Sequence, residues 1–249
     1  AAIASWANPC NVATGPIAGD SVIIANAHVI TIPTGTRAPA SGSVTTIGIG
    51  AATTAAAHGI TLAGTGQLYA SGAVTMTGSS SFNGNSSLIV ATGTANVGSL
   101  AINGGSNTSR LGQVTLSSGT VNVSGDITFG GTTGNARLVY SSTGAVNLTG
   151  NLGSGATAGV VTTVAGSITN FNGSSAQTSR GYTFNILKVN NAAGMTMTST
   201  STVTTLTIGD VTGSSIFDDG GFQVTCTGTL NLTSGTFKLG SAGTATTWP

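Results

Sequence analysis

The sequence predicts an all-β chain wound as a single elongated parallel β-solenoid, and three observations carry that prediction. Short stretches rich in Val, Ile, Leu and Thr recur from Ser21 almost to the C-terminus, each closed by Gly, Ser or Asn. No helical periodicity of any length separates them. Two strands and their corners recur at about 20 to 25 residues, as from Gly119 to Gly144 and from Gly209 to Gly235, a spacing found in stacked repeats. A β-sandwich or jelly roll is the competing fold, because short strands with frequent turns suit it too. The solenoid is preferred because charged residues are scarce and corner-like Gly/Ser clusters dominate. An immunoglobulin-like packing of paired cysteines on a core tryptophan is also missing, with Cys10 and Cys226 near opposite ends and Trp6 and Trp248 at the termini.

In chain order, residues 1–20 read as an N-terminal cap or junction, marked as irregular by Trp6 and Pro9. The solenoid is expected over 21–240. Its strands include Ser21–Ile24, His28–Ile32, Gly59–Leu62, Ala73–Thr77, Gln113–Leu116, Ala145–Thr149 and Thr229–Thr233. In Val121-Asn122-Val123 and Leu230-Asn231-Leu232 the apolar side chains share one face and Asn takes the other, since residues two apart lie on one side of a strand. A core of Val, Ile and Leu with a solvated outer face of Thr and Asn follows. Corners are expected at Gly78–Ser81, Asn103–Asn107, Gly130–Asn135 and Gly153–Gly155, where Gly and Asn accept positive φ cheaply. Residues 241–249 form a C-terminal tail or junction.

Composition narrows the partners. Charged residues make up 4% of the 249, against about 25% in a typical soluble domain. Hydroxyls and amides must therefore hold the surface in water. The six basic residues, Arg37, Arg110, Arg137, Arg180, Lys188 and Lys238, are scattered, whereas binding to nucleic acid or an anionic membrane needs them clustered. Mean hydropathy is +0.33, yet no window approaches the roughly 18 uninterrupted apolar residues of a membrane helix. The opening Ala1-Ala2-Ile3-Ala4 looks like what signal-peptidase cleavage leaves behind, which predicts a secreted, extracellular or cell-surface protein.

Trp6, Pro16, Gly19-Asp20-Ser21-Val22-Ile23-Ile24 and His28-Val29-Ile30-Thr31-Ile32 together resemble the opening of secreted bacterial β-helix proteins, G8-type domains among them. The resemblance runs from the N-terminus to shortly after Ile32. It implies a right-handed parallel β-helix entered through a short cap, in families that include adhesins, autotransporter passengers and proteins acting on surface polysaccharides. It carries over no catalytic residue.

No constellation for catalysis or metal binding emerges. Acid–base cleavage of a polysaccharide needs two groups held close together. Asp218-Asp219 is the only acidic pair, and it lacks the Gly-His-Gly and Arg-x-Lys segments that accompany such a pair in polygalacturonase-like enzymes. Ala57-His58-Gly59 matches poorly and lies far upstream, so Asp218-Asp219-Gly220-Gly221 reads as a solvated turn. Neither His28 nor His58 shares a short motif with another ligand type, and five scattered aspartates build no calcium site. The sequons at Asn85, Asn107, Asn122, Asn147, Asn172 and Asn231 are expected by chance in so Asn/Ser/Thr-rich a chain. Catalytic residues, cofactor sites and metal sites are accordingly none.

The cysteines give the sharpest local expectation. Two Cys in a secreted chain are usually paired. With about ten rungs at ~4.8 Å each between them, Cys10 and Cys226 would stand on the order of 50 Å apart, far beyond the reach of one disulfide. The sequence therefore predicts a bond between subunits, with the last rung of one molecule stacked on the first of the next and Trp6 and Trp248 anchoring the junction. The leading functional expectation is a non-enzymatic structural subunit of an extracellular filament, a head-to-tail homopolymer. An adhesin or autotransporter passenger rod that binds carbohydrate or a cell surface is the alternative, and a polysaccharide lyase or hydrolase the third reading.

Overall fold

The computed structural model describes residues 16–24, 28–50, 57–209 and 214–240. Every regular element among them is a strand, and every pairing is parallel, in a solenoid of about eight turns. The chain climbs through β1 (Ser21–Ile24), β2 (Val29–Ile32), β3 (Arg37–Ala38), β4 (Thr46–Ile49), β5 (His58–Leu62) and β6 (Gln67–Thr77). It continues through β7 (Ser86–Val90), β8 (Thr94–Gly104), β9 (Gly112–Leu116), β10 (Thr120–Val123), β11 (Ile127–Gly131), β12 (Ala136–Tyr140) and β13 (Ala145–Leu148). The upper part holds β14 (Val160–Thr162), β15 (Ile168–Phe171), β16 (Gln177–Ser179), β17 (Thr183–Val189), β18 (Met195–Met197) and β19 (Ser201–Ile208). Last come β20 (Ser215–Asp218), β21 (Val224–Leu232) and β22 (Gly235–Lys238).

Each coil of the lower half has three sides. The first carries β1, β4, the end of β6, the end of β8, and β11. The second is the six-stranded sheet of β2, β5, β7, β9, β12 and β14. The third stacks β3, the start of β6, the start of β8, β10, β13, β15 and the ends of β17, β19 and β21. Sequence reading gives the strands well where they are flat and short, as at Ser21–Ile24. It truncates those that turn a corner: β6 starts at Gln67 rather than Ala73, and β21 at Val224 rather than Thr229.

Inward residues form continuous columns because successive coils keep register. On the third side Val97, Val123, Leu148, Phe171, Val189 and Ile208 lie above one another, all buried. Ile32, Leu62, Val90, Leu116 and Tyr140 do the same on the second. Each fully buried side chain of this size is worth about 1.5–3 kcal/mol against its exposed state.

A glycine column fixes one corner. Gly66, Gly93, Gly119 and Gly144 precede successive strands of the third side, and the carbonyls of Gly66, Gly93 and Gly119 accept from the amides of Thr94, Thr120 and Ala145. A Cβ on Gly93 would sit 2.2 Å from the Gly66 carbonyl oxygen, and one on Gly119 2.6 Å from that of Gly93. No side chain fits there, so the repeat spacing is written by glycine.

The coil length is irregular, and the turns number about eight, fewer than the ten or so rungs expected. On the third side Arg37 is the register partner of Gln67, Thr120 of Ala145, and Ile168 of Ile186, so the coils shorten up to β17; they lengthen again at the top, where Thr205 is the partner of Thr229.

Candidate functional site

The outer surface of the third side carries a ladder of asparagines. In β8, β10, β13 and β15 the outward position between two buried residues is Asn96, Asn122, Asn147 and Asn170, in register coil upon coil. Each but the lowest donates its Nδ2 hydrogen to the Oδ1 below: Asn122 to Asn96 at 2.8 Å, Asn147 to Asn122 at 2.8 Å, and Asn170 to Asn147 at 3.1 Å. Asn190, just past the register partner Lys188, adds a last step to Asn170 at 3.1 Å. An amide has two N–H groups and two lone pairs. Asn122 and Asn147 each use one of each along the axis and turn the other pair to the open side.

Below Asn96 the same column continues with Tyr69. Arg37, one coil earlier, places its guanidinium carbon 3.8 Å from the ring centroid, and the phenol donates to Gln67 Oε1 at 3.0 Å. The arginine in turn donates to the carbonyls of Pro39 and Gly42 at 2.5 and 2.6 Å. The ring is therefore held from the side of the preceding coil.

Tyr69, Asn96, Asn122 and Asn147 form the floor of an open groove of about 390 Å3, with Ser124 and Thr149 on its rim. The rim belongs to the corner after the third side, where Thr149 Oγ1 donates to the Ser124 carbonyl at 2.7 Å. No charged side chain lines the groove.

A second polar stack sits one corner further on. Asp126 Oδ1 accepts from the Asn151 amide at 2.8 Å and from Asn151 Nδ2 at 3.1 Å, while Asp126 Oδ2 accepts from Ser154 Oγ at 3.0 Å. Asn151 Oδ1 accepts from Thr178 N at 2.7 Å, carrying the stack up another coil. These side chains are consumed by one another and by backbone.

Comparison with protein-family models, with curated proteins and with solved structures finds no match. The geometry alone therefore speaks for function.

The residues singled out by the sequence fall in several places. Trp6, Cys10 and Trp248 lie outside the described residues, as do most of the expected N-terminal cap and the whole tail over 241–249. Cys226 points inward from β21 in register with Val203, is 2% exposed and is a free thiol. Asp218 and Asp219 do occupy a turn, with Gly220 and Gly221 at φ of 63° and 81°, but the solvated reading fails for Asp219. Asp219 is 2% exposed, and its Oδ1 accepts from the amides of Gly221 at 2.8 Å and Gly240 at 2.6 Å. Asp218 instead faces Lys238 at 3.5 Å and receives the Gly220 amide at 2.8 Å. The pair thus tethers the chain after β22 to the turn after β20.

His58 is fully buried, its Nε2 between the Gly50 carbonyl and Ser86 Oγ, the latter at 2.8 Å. Ser86 Oγ also lies 2.5 Å from the Thr77 carbonyl oxygen and is itself fully buried. A serine–histidine contact with neither partner reaching solvent offers no place for a substrate and reads as internal satisfaction of a corner. His28 is half-buried immediately before β2. Among the described residues no group of three His, Cys, Asp or Glu side chains converges on a metal position, and no helix is long and apolar enough to cross a membrane.

Sequence reading places Asn122 on the outer face but misses the ladder. The signal is present: Asn96, Asn122, Asn147 and Asn170 recur at a nearly constant spacing, each preceding Val, Leu or Phe.

Proposed function

We propose that the protein is a non-enzymatic structural subunit of an extracellular filament, growing by stacking the upper coil of one molecule on the lower coil of the next. The observation that carries this reading is the open upper end of the core. Leu230 and Leu232 stand in register above the buried Leu206 and Ile208, yet are 38% and 52% exposed. They are core residues without a coil above them among the described residues. Among the described residues β21 and β22 are the last strands of their sheets, and a terminal strand is where an incoming parallel strand can add. At the lower end β1 is likewise terminal in its sheet among the described residues, its inward Val22 and Ile24 stacking only on Ile47 and Ile49 of the next coil.

Such a contact is heterologous, and without closure it propagates as a fibre. Low charge supports it, since little repulsion opposes close stacking. The likeness of the N-terminal segment to secreted β-helix openings supports an extracellular place for the filament, as part of a surface or biofilm matrix. A bond from Cys226 to Cys10 of a neighbour enters only as a secondary lock, because the buried thiol has to be uncovered before it can react.

Sedimentation velocity across a concentration series tests the reading. The parent chain is expected to grow in size with concentration, and Leu232→Asp to remain monomeric while keeping its β circular dichroism. A parent that stays monomeric at high concentration removes the proposal.

A further inference from the structure

We infer that the asparagine groove is a binding site for an extended neutral polysaccharide lying along the solenoid axis. Four features of the groove converge on that chemistry. Its floor offers, at Asn122 and Asn147, an N–H and a lone pair per residue that the ladder leaves unused, side by side on one amide plane. Paired sugar hydroxyls, which donate and accept together, answer that pattern; a carboxylate or phosphate, which only accepts, answers half of it.

The offer is repeated once per coil, at a step of ~4.8 Å. That step is close to the advance per sugar unit of an extended glycan, so consecutive units meet equivalent amides. The lining from Tyr69 to Asn147 spans three coil steps, roughly 15 Å, enough for a short run of sugars.

Tyr69 closes one end. Arg37 stacks on its ring from the preceding coil and does not line the groove, whereas Tyr69 does. The ring is thus held in place as an apolar platform beside the amides, the combination of one aromatic surface and a few fixed polar groups that small-molecule sites use. Finally, the absence of any charged lining residue leaves nothing to compensate the desolvation of a charged ligand. Together these choose a neutral glycan over an acidic one. The site is independent of the upper end of the solenoid, so binding and filament growth stand or fall separately.

Isothermal titration calorimetry with β-glucan, mannan and chitin oligosaccharides, and with an oligogalacturonate as the acidic counterpart, tests the inference in either assembly state. Binding of at least one neutral oligosaccharide and none of the acidic one is expected. Tyr69→Ala is expected to weaken that binding about tenfold, the loss of one good contact. Ser124→Trp, at an exposed rim position outside the ladder, is expected to block it while leaving the melting temperature in place. Thr61→Ala, on the second side, is expected to bind as the parent does. No heat with any neutral oligosaccharide, a preference for the acidic one, or unaltered binding in a folded Ser124→Trp protein would each overturn the proposal.

Discussion

Replacing Asn122 by alanine removes two ladder bonds at once, the one it donates to Asn96 and the one it accepts from Asn147, both 2.8 Å. Replacing Asn96 removes only the bond it accepts from Asn122. A neutral intramolecular hydrogen bond contributes about 0.5–1.5 kcal/mol net, and these side chains are half-buried, so the orphaned amides recover water on their open side. The low half of the range applies, giving about 1–2 kcal/mol for Asn122→Ala and roughly half that for Asn96→Ala. For a chain of this size each kcal/mol moves the melting temperature by about 2–4 °C. Thermal and urea denaturation of the two variants side by side cancel the strand-propensity difference, because both substitutions are the same. Equal shifts, or no shift for Asn122→Ala, would show that the ladder is a consequence of stacking and not a contributor to it.

Other outcomes follow from the same geometry. Gly119→Ala places a Cβ 2.6 Å from both the Gly93 carbonyl oxygen and Val90 Cγ1 and is expected to cost about 1–3 kcal/mol, read from the urea midpoint. Phe171→Ala empties a fully buried column position and is expected to cost about 3–5 kcal/mol in the same assay. Burial holds the Tyr140 hydroxyl well above its ordinary range, against a lowering bond from Thr169, and pushes Tyr182 up to about 12 despite the opposing charge of Arg180. Both phenols are neutral when folded, so their contribution is complete below pH ~10, where unfolded tyrosine ionises, and declines as pH climbs towards about 12 and beyond. Urea unfolding at pH 9 and pH 11.5 should show that decline, and Tyr140→Phe should reduce it.

Much of the architecture is legible because a parallel coil imposes a local rule. Alternation in Val121-Asn122-Val123 reports one inward and one outward face, and the glycines at 93, 119 and 144 report corners where backbone packs on backbone. What the rule misses is everything set between coils. β19 crosses from one side to the next between Val203 and Thr205 by a register shift, with Thr204 at the bend and no Gly, Ser or Asn cluster to announce it. The buried state of Asp219 depends on Gly240 returning one coil later, which adjacency in sequence does not encode. The asparagine ladder depends on the register between coils, which brings Asn96, Asn122, Asn147 and Asn170 into one column. Alternation within one strand does not report it; a column-by-column alignment of strands does.

The central claim is that the solenoid continues through the junction between molecules, and electron microscopy of the purified protein tests it most directly. Unbranched filaments are expected, with an axial subunit repeat of roughly 40 Å, about eight turns at ~4.8 Å each, and a continuous ~4.8 Å layer line. Isolated rods at every concentration, or filaments whose ~4.8 Å order stops at each junction, would contradict it.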